Sequence, residues 1–195
     1  MPVSDGSGQM RREVWLRGNL RPAAAVAALA TLLGLALVAA VIAAGLAAAF
    51  IAAAAAAACL LVAAGGYGLW MAARPRLVRA GDTLEARLSL TGPQRVPLDV
   101  VECIFRGSEP LPLTGQPTGQ EDAPPKFRVN TVVVRLAERA TDWRARETFR
   151  PWGTWEDGHL VVDGRWCEPL SPETVRGVAT KLIEAKRELA AGAGG

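Results

Sequence analysis

The side chains that could do chemistry in this chain are few and scattered. His159 is the only histidine, so one chain cannot supply a multi-histidine metal site or an acid–base pair of histidines. Glu156, Asp157 and Asp163 lie close by, but Asp157-Gly158 and Asp163-Gly164 are hairpin-turn dipeptides. A glycosidase-type carboxylate pair would also need a cleft that this spacing does not indicate. Cys59, Cys103 and Cys167 are far apart and include no CxxC pair. That usage suits buried free thiols in a reducing compartment better than a disulfide framework or a zinc site. The phosphate-cradling runs GxGxxG and GxxxxGK[ST] are absent from the sequence. These residues point away from an enzyme, and they imply no metal and no cofactor.

Two other concentrations could bind rather than react. Arg144, Arg146, Thr148 and Arg150 alternate with Trp143, Ala145, Glu147 and Phe149, which predicts a strand over 143–150 with an arginine face. Such a face turned to an anionic leaflet gains about 1 kcal/mol per residue. Trp143, Trp152, Trp155 and Trp166 suit core packing. Trp152 and Trp155 lie in the irregular run PWGTW, where an aromatic surface for a partner or the bilayer is the other reading.

The stretch that must position everything else is 22–73. It contains no Asp, Glu, Lys, Arg, His, Asn or Gln, and Arg21 and Arg74 bracket it. A span of about 20 apolar residues crosses a bilayer, so the run predicts a transmembrane hairpin with helices over 23–44 and 46–72. It is too long for the apolar core of a cleaved signal peptide. Pro22 suits a helix start, and Gly45 is the expected turn. Alanine- and glycine-rich faces allow close helix packing, within the hairpin or in a homo-oligomer. Trp15, Tyr67 and Trp70 are expected as interfacial anchors. Residues 1–21 read as a disordered basic arm. Arg11, Arg12, Arg17 and Arg21 precede the hairpin, Arg74, Arg76 and Arg79 follow it, and its turn is uncharged. The positive-inside rule then places both termini in the cytoplasm of a bacterial inner membrane.

Residues 76–195 read as one cytoplasmic β-rich domain. Leu84, Ala86, Leu88 and Leu90 alternate with polar residues, and 96–105 is a more continuous apolar run. Gly107 to Pro125 holds five prolines and three glycines, a composition that predicts a loop. Strands are expected over 127–138, 159–162 and 165–168. Ser171-Pro172-Glu173 then opens an amphipathic helix over 172–191, with Val175, Val178, Leu182 and Ile183 at helical spacing. The 18 basic and 17 acidic groups outside the arm nearly cancel, since the arm holds four of the 22 basic and two of the 19 acidic residues. That balance argues against nucleic acid as a partner.

Strands in meander order closed by the stretch SPETVRGVATKLIEAKREL resemble a pleckstrin-homology-like barrel, a fold that bacteria also attach to transmembrane hairpins. The overall class is α+β, and an immunoglobulin-like sandwich is the alternative. The resemblance implies a non-enzymatic module that binds the lipid bilayer and another membrane or cytoplasmic protein. An anionic-lipid headgroup sensor is the second expectation and a small membrane enzyme the third. The basic first hairpin of lipid-binding members is lacking, since Arg87 and Arg95 stand nearly alone between the first strands.

Overall fold

A computed structural model describes residues 12–110 and 128–192 and divides the chain into two units, 18–74 and a β unit formed by 12–17 with 75–192. The unit 18–74 contains the uncharged run 22–73 and the two arginines that bracket it. Part of the expected disordered arm is a strand. β1 (Arg12–Leu16) pairs antiparallel with β2 (Leu77–Ala80), so Leu16 faces Leu77 across the ladder. Residues 18–74 are therefore an insertion between two neighbouring strands of one sheet. A register shift between Val14 and Leu16 turns both Trp15 and Leu16 inward, at 3% and 0% exposure, as a bulge does when it re-aims a side chain.

The inserted unit is an antiparallel pair of helices, α1 (Arg21–Ala43) and α2 (Ala48–Ala73). Both are long and apolar enough to span a membrane. Gly45, at φ +63°, lies in the turn, a backbone conformation that favours glycine. A Cβ on Gly34 would meet the Ala58 Cα at 3.2 Å, and one on Gly65 would meet the Ala27 Cβ at 3.2 Å. The small residues thus serve close packing inside the hairpin. Large apolar side chains point away from that seam, with Leu60 72%, Leu32 64% and Phe50 60% exposed.

The β unit has two four-stranded antiparallel sheets. The first runs β1-β2-β3-β4, with β3 at Thr83–Ala86 and β4 at Gln94–Pro97. The second joins β5 (Val101–Pro110), β6 (Arg128–Leu136), β7 (Gly153–Glu156) and β8 (His159–Asp163) in the order β5-β6-β8-β7. β8 intervenes between β6 and β7, so the second sheet is not the meander expected. Asp157 and Gly158, at φ 50° and 72°, form the tight turn joining β7 to β8, the geometry a two-residue hairpin needs.

Several expected strands end early for local reasons. The apolar run 96–105 is broken by a 3-10 turn at Leu98–Val100 that follows Pro97, and its two halves belong to different sheets. Proline cannot donate to a ladder. β3 stops at Ala86, leaving Leu90 in a loop and half exposed. β5 continues through Gly107 to Pro110, into the stretch expected as loop; 111–127 lies outside the described residues. Gly164–Trp166 is a 3-10 turn rather than a last strand.

α3 (Pro172–Gly192) starts where expected, with the Thr174 N–H donating to Ser171 Oγ at 3.1 Å. It lies against β5 and β1 and buries Val175, Val178, Leu182 and Ala185. The core holds Leu16, Leu77, Leu84, Leu88, Val96, Val132, Val134, Leu160 and Val162, all at 0% exposure.

Candidate functional site

Antiparallel pairing fixes which residues gather at each end of the β unit. Leu16 faces Leu77, Leu77 faces Ala86, and Ala86 faces Gln94. The β3–β4 loop therefore lies at the same end as Arg17 and Pro75, where the chain leaves for and returns from the inserted helices. The Arg76 N–H donates to the Leu16 carbonyl at 2.8 Å and closes this neck. Glu168 ties it from the other side. Its Oε1 accepts from the Arg17 N–H at 2.8 Å, while its own N–H donates to the Arg17 carbonyl at 3.0 Å.

The centre of this end is Arg76, at 0% exposure. Its Nε donates to the Trp166 carbonyl at 3.0 Å, and its guanidinium lies 4.1 Å from the Trp152 ring centroid, a cation–π distance. Nη1 and Nη2 find no hydrogen-bond partner among the described residues. Burial lowers its pKa to about 10, leaving it charged at neutral pH. Burial also pushes the neighbouring Cys167 thiol up to about 12, against the pull of Arg76. Burial in this way favours the protonated thiol over the nucleophilic thiolate.

The arginines expected on one strand face are not brought together. Thr141–Trp143 is a 3-10 turn, and 144–152 forms no strand. The Arg144 carbonyl accepts from the Gly158 N–H at 2.9 Å, at the β7–β8 turn. The Phe149 N–H donates to the Leu88 carbonyl at 2.7 Å, at the neck end. The segment thus runs the length of the unit, with Arg144 and Arg150 towards opposite ends. The guanidinium of Arg146 sits 4.8 Å from the Trp143 ring centroid. Glu147 breaks the alternation from within: its carbonyl accepts from Gln94 Nε2 at 2.6 Å and ties the segment to the first sheet.

Arg144 lines an open pocket of about 280 Å³ with Arg135, Glu138, Asp157 and His159. Arg135 is engaged by Glu102 at 3.2 Å and Glu138 at 3.6 Å. His159 Nδ1 lies 3.0 Å from the Asp157 carbonyl, so that nitrogen carries the proton. Acids and bases alternate around the pocket, which gives it no strong preference for either sign of ligand. Among the described residues no group of three His, Cys, Asp or Glu side chains could hold a metal.

The remaining expected site residues divide between the two units. Trp152 and Trp155 are buried, at 4% and 2% exposure, and form core rather than a partner-facing surface. Trp152 packs edge-on against Phe149, and Trp155 Nε1 donates to the Trp143 carbonyl at 2.9 Å. Trp15 is likewise core, not an interfacial anchor. Tyr67 and Trp70 are exposed on α2, 5.7 Å apart, and the Arg74 guanidinium covers Trp70 at 3.6 Å. Arg21 is the first residue of α1, and Arg17 is exposed. Arg12 reaches Glu85 at 2.5 Å and Arg79 reaches Glu188 at 2.7 Å. Arg11 lies outside the described residues.

Sequence reasoning missed β1 and the Arg76 cluster. The β-branched and aromatic content of Arg12-Glu13-Val14-Trp15-Leu16 was a usable strand signal. No local pattern marks Arg76, because Trp152 and Trp166 reach it from 76 and more positions away.

The fold and these sites define an α+β chain in which a hairpin of two membrane-length helices interrupts an antiparallel β unit. No protein-family model, curated protein or solved structure matches it.

Proposed function

We propose that this chain is a non-enzymatic integral membrane protein whose β unit, tethered at the bilayer, serves as an interaction and assembly module. The observation that carries this reading is the inserted unit. Its two helices have no charged residue between Arg21 and Arg74, and they expose large apolar side chains away from their mutual seam. In water such a surface would far exceed the apolar patches of a soluble monomer, whereas in lipid it is solvated. The arginine-bearing flanks and uncharged turn support both termini in the cytoplasm of a bacterial inner membrane. A pleckstrin-homology-like reading of the β unit is supported by its two antiparallel sheets and by α3, which buries four side chains against them. An immunoglobulin-like sandwich would carry α3 as an appendage instead.

Crosslinking with mass spectrometry in native membranes tests the module reading. It predicts crosslinks from the β unit to one recurrent protein partner. Recovery of the chain crosslinked to no protein would contradict that role.

A further inference from the structure

The neck end of the β unit presents apolar and basic side chains that its own core leaves partly exposed. Leu90 stands at the tip of the β3–β4 loop with 51% of its surface exposed, and Phe149 is 37% exposed. The Phe149 N–H bonds the Leu88 carbonyl, which places Phe149 beside the β3–β4 loop that carries Leu90. Arg17 and Arg150 are exposed on this end and take part in no ion pair among the described residues. The acids at the same end are Glu147, Glu168, Asp163 at the end of β8 and Glu109 near the end of β5; Glu168 Oε1 is already engaged by the Arg17 N–H and Asp163 by Arg165.

Covalent reach then names the occupant. Three residues separate Arg17 from Arg21, where α1 begins, and only Arg74 separates Ala73, the end of α2, from Pro75. An extended chain spans at most about 3.6 Å per residue, so whatever holds the helices lies within a few residues of this end.

We propose that the neck end rests on the anionic lipid surface of the bilayer holding α1 and α2. Leu90 and Phe149 enter the headgroup layer, and Arg17 and Arg150 meet lipid phosphates. Apolar side chains ringed by arginines suit that layer, where one end of the contact is apolar and the other wet. The inference rests on the membrane reading above and adds a lipid-facing surface to the β unit.

The test uses the full chain reconstituted in phosphatidylcholine/phosphatidylglycerol vesicles, after Cys59→Ala, Cys103→Ser and Cys167→Ala. Single cysteines introduced as Leu90→Cys, Phe149→Cys, Asp82→Cys and Leu60→Cys carry a fluorophore quenched by aqueous iodide or by a lipid-borne spin label. Asp82 sits in the β2–β3 turn at the opposite end of the first sheet, and Leu60 is exposed on α2. Labels at 90 and 149 are expected to be several-fold less quenched by iodide than the label at 82, and to be quenched by the lipid probe. Arg17→Glu with Arg150→Glu, or vesicles of phosphatidylcholine alone, should remove most of that protection. Iodide quenching at 90 and 149 equal to that at 82, with the label at 60 still protected, overturns the lipid-facing surface and leaves the membrane reading standing. Protection at 90 and 149 without lipid-probe quenching overturns it in favour of a protein contact. An iodide-accessible label at 60 overturns both.

Discussion

Deleting β1 should unfold the β unit, although the inserted helices separate the strand from the rest of that unit in sequence. Trp15 and Leu16 are essentially inaccessible. Truncating a buried leucine to alanine costs about 2–5 kcal/mol and a buried tryptophan about 3–5 kcal/mol. Together these approach the whole stability of an ordinary domain, about 5–15 kcal/mol. Loss of the strand also leaves the edge of β2 unpaired and takes the Leu16 carbonyl from the Arg76 N–H. A soluble chain of 75–195 alone is therefore expected to lack a cooperative transition. Because Leu16 and Leu77 are ladder neighbours, a turn of about two to five residues can replace 18–74. Residues 12–17 joined in this way to 75–195 should fold. Urea denaturation followed by tryptophan fluorescence distinguishes the two chains. A cooperative transition of 75–195 alone, with the same midpoint and slope as the joined chain, would refute the assignment of β1 to this sheet.

Three further outcomes follow from particular contacts. Arg76→Met should change the stability of the joined soluble chain by no more than about 1–2 kcal/mol, because relief of buried-charge desolvation offsets the lost cation–π contact and hydrogen bond. Arg76→Ala, which also leaves a void, should cost at least about 2 kcal/mol more by the same urea titration. Gly34→Leu should weaken the α1–α2 pair by about 1–3 kcal/mol through overpacking against Ala58, whereas Gly66→Ala, with nothing within 4 Å, should not; thermal unfolding in detergent reads both. A polar maleimide applied at pH 8 should label exposed Cys103 rapidly and Cys167 only after denaturation, because burial holds the Cys167 thiol protonated. Fast native labelling at both positions, read by mass spectrometry, would contradict that burial.

The parts legible in sequence are those written in local pattern. An uncharged run between arginines gave the two helices to within two residues at each end, with Gly45 in the turn. Ser171 and the apolar spacing after it marked α3. The Asp157-Gly158 turn needed only its own dipeptide. What sequence could not carry is pairing between distant segments. β1 reads as an arm because its partner lies beyond the inserted helices, and it becomes a strand only once β2 is beside it. The arginine alternation at 144–150 imitates a strand, but the backbone of 147–149 bonds the β3–β4 loop and β4 instead of a neighbouring ladder. Arg76 is indistinguishable in sequence from the arginines that flank a membrane span. Its burial comes from tertiary contacts with Trp152 and Trp166.

Membrane insertion is the claim on which the functional reading stands, and topology mapping tests it most directly. A fluorescent-protein fusion and an alkaline-phosphatase fusion after Gly195 would be compared in a bacterial host, with each chain's fractionation in alkaline carbonate. The hairpin predicts a carbonate-resistant protein that is fluorescent with the first reporter and inactive with the second. Phosphatase activity from the Gly195 fusion would reverse the orientation, and release of the chain into the soluble fraction would contradict insertion itself.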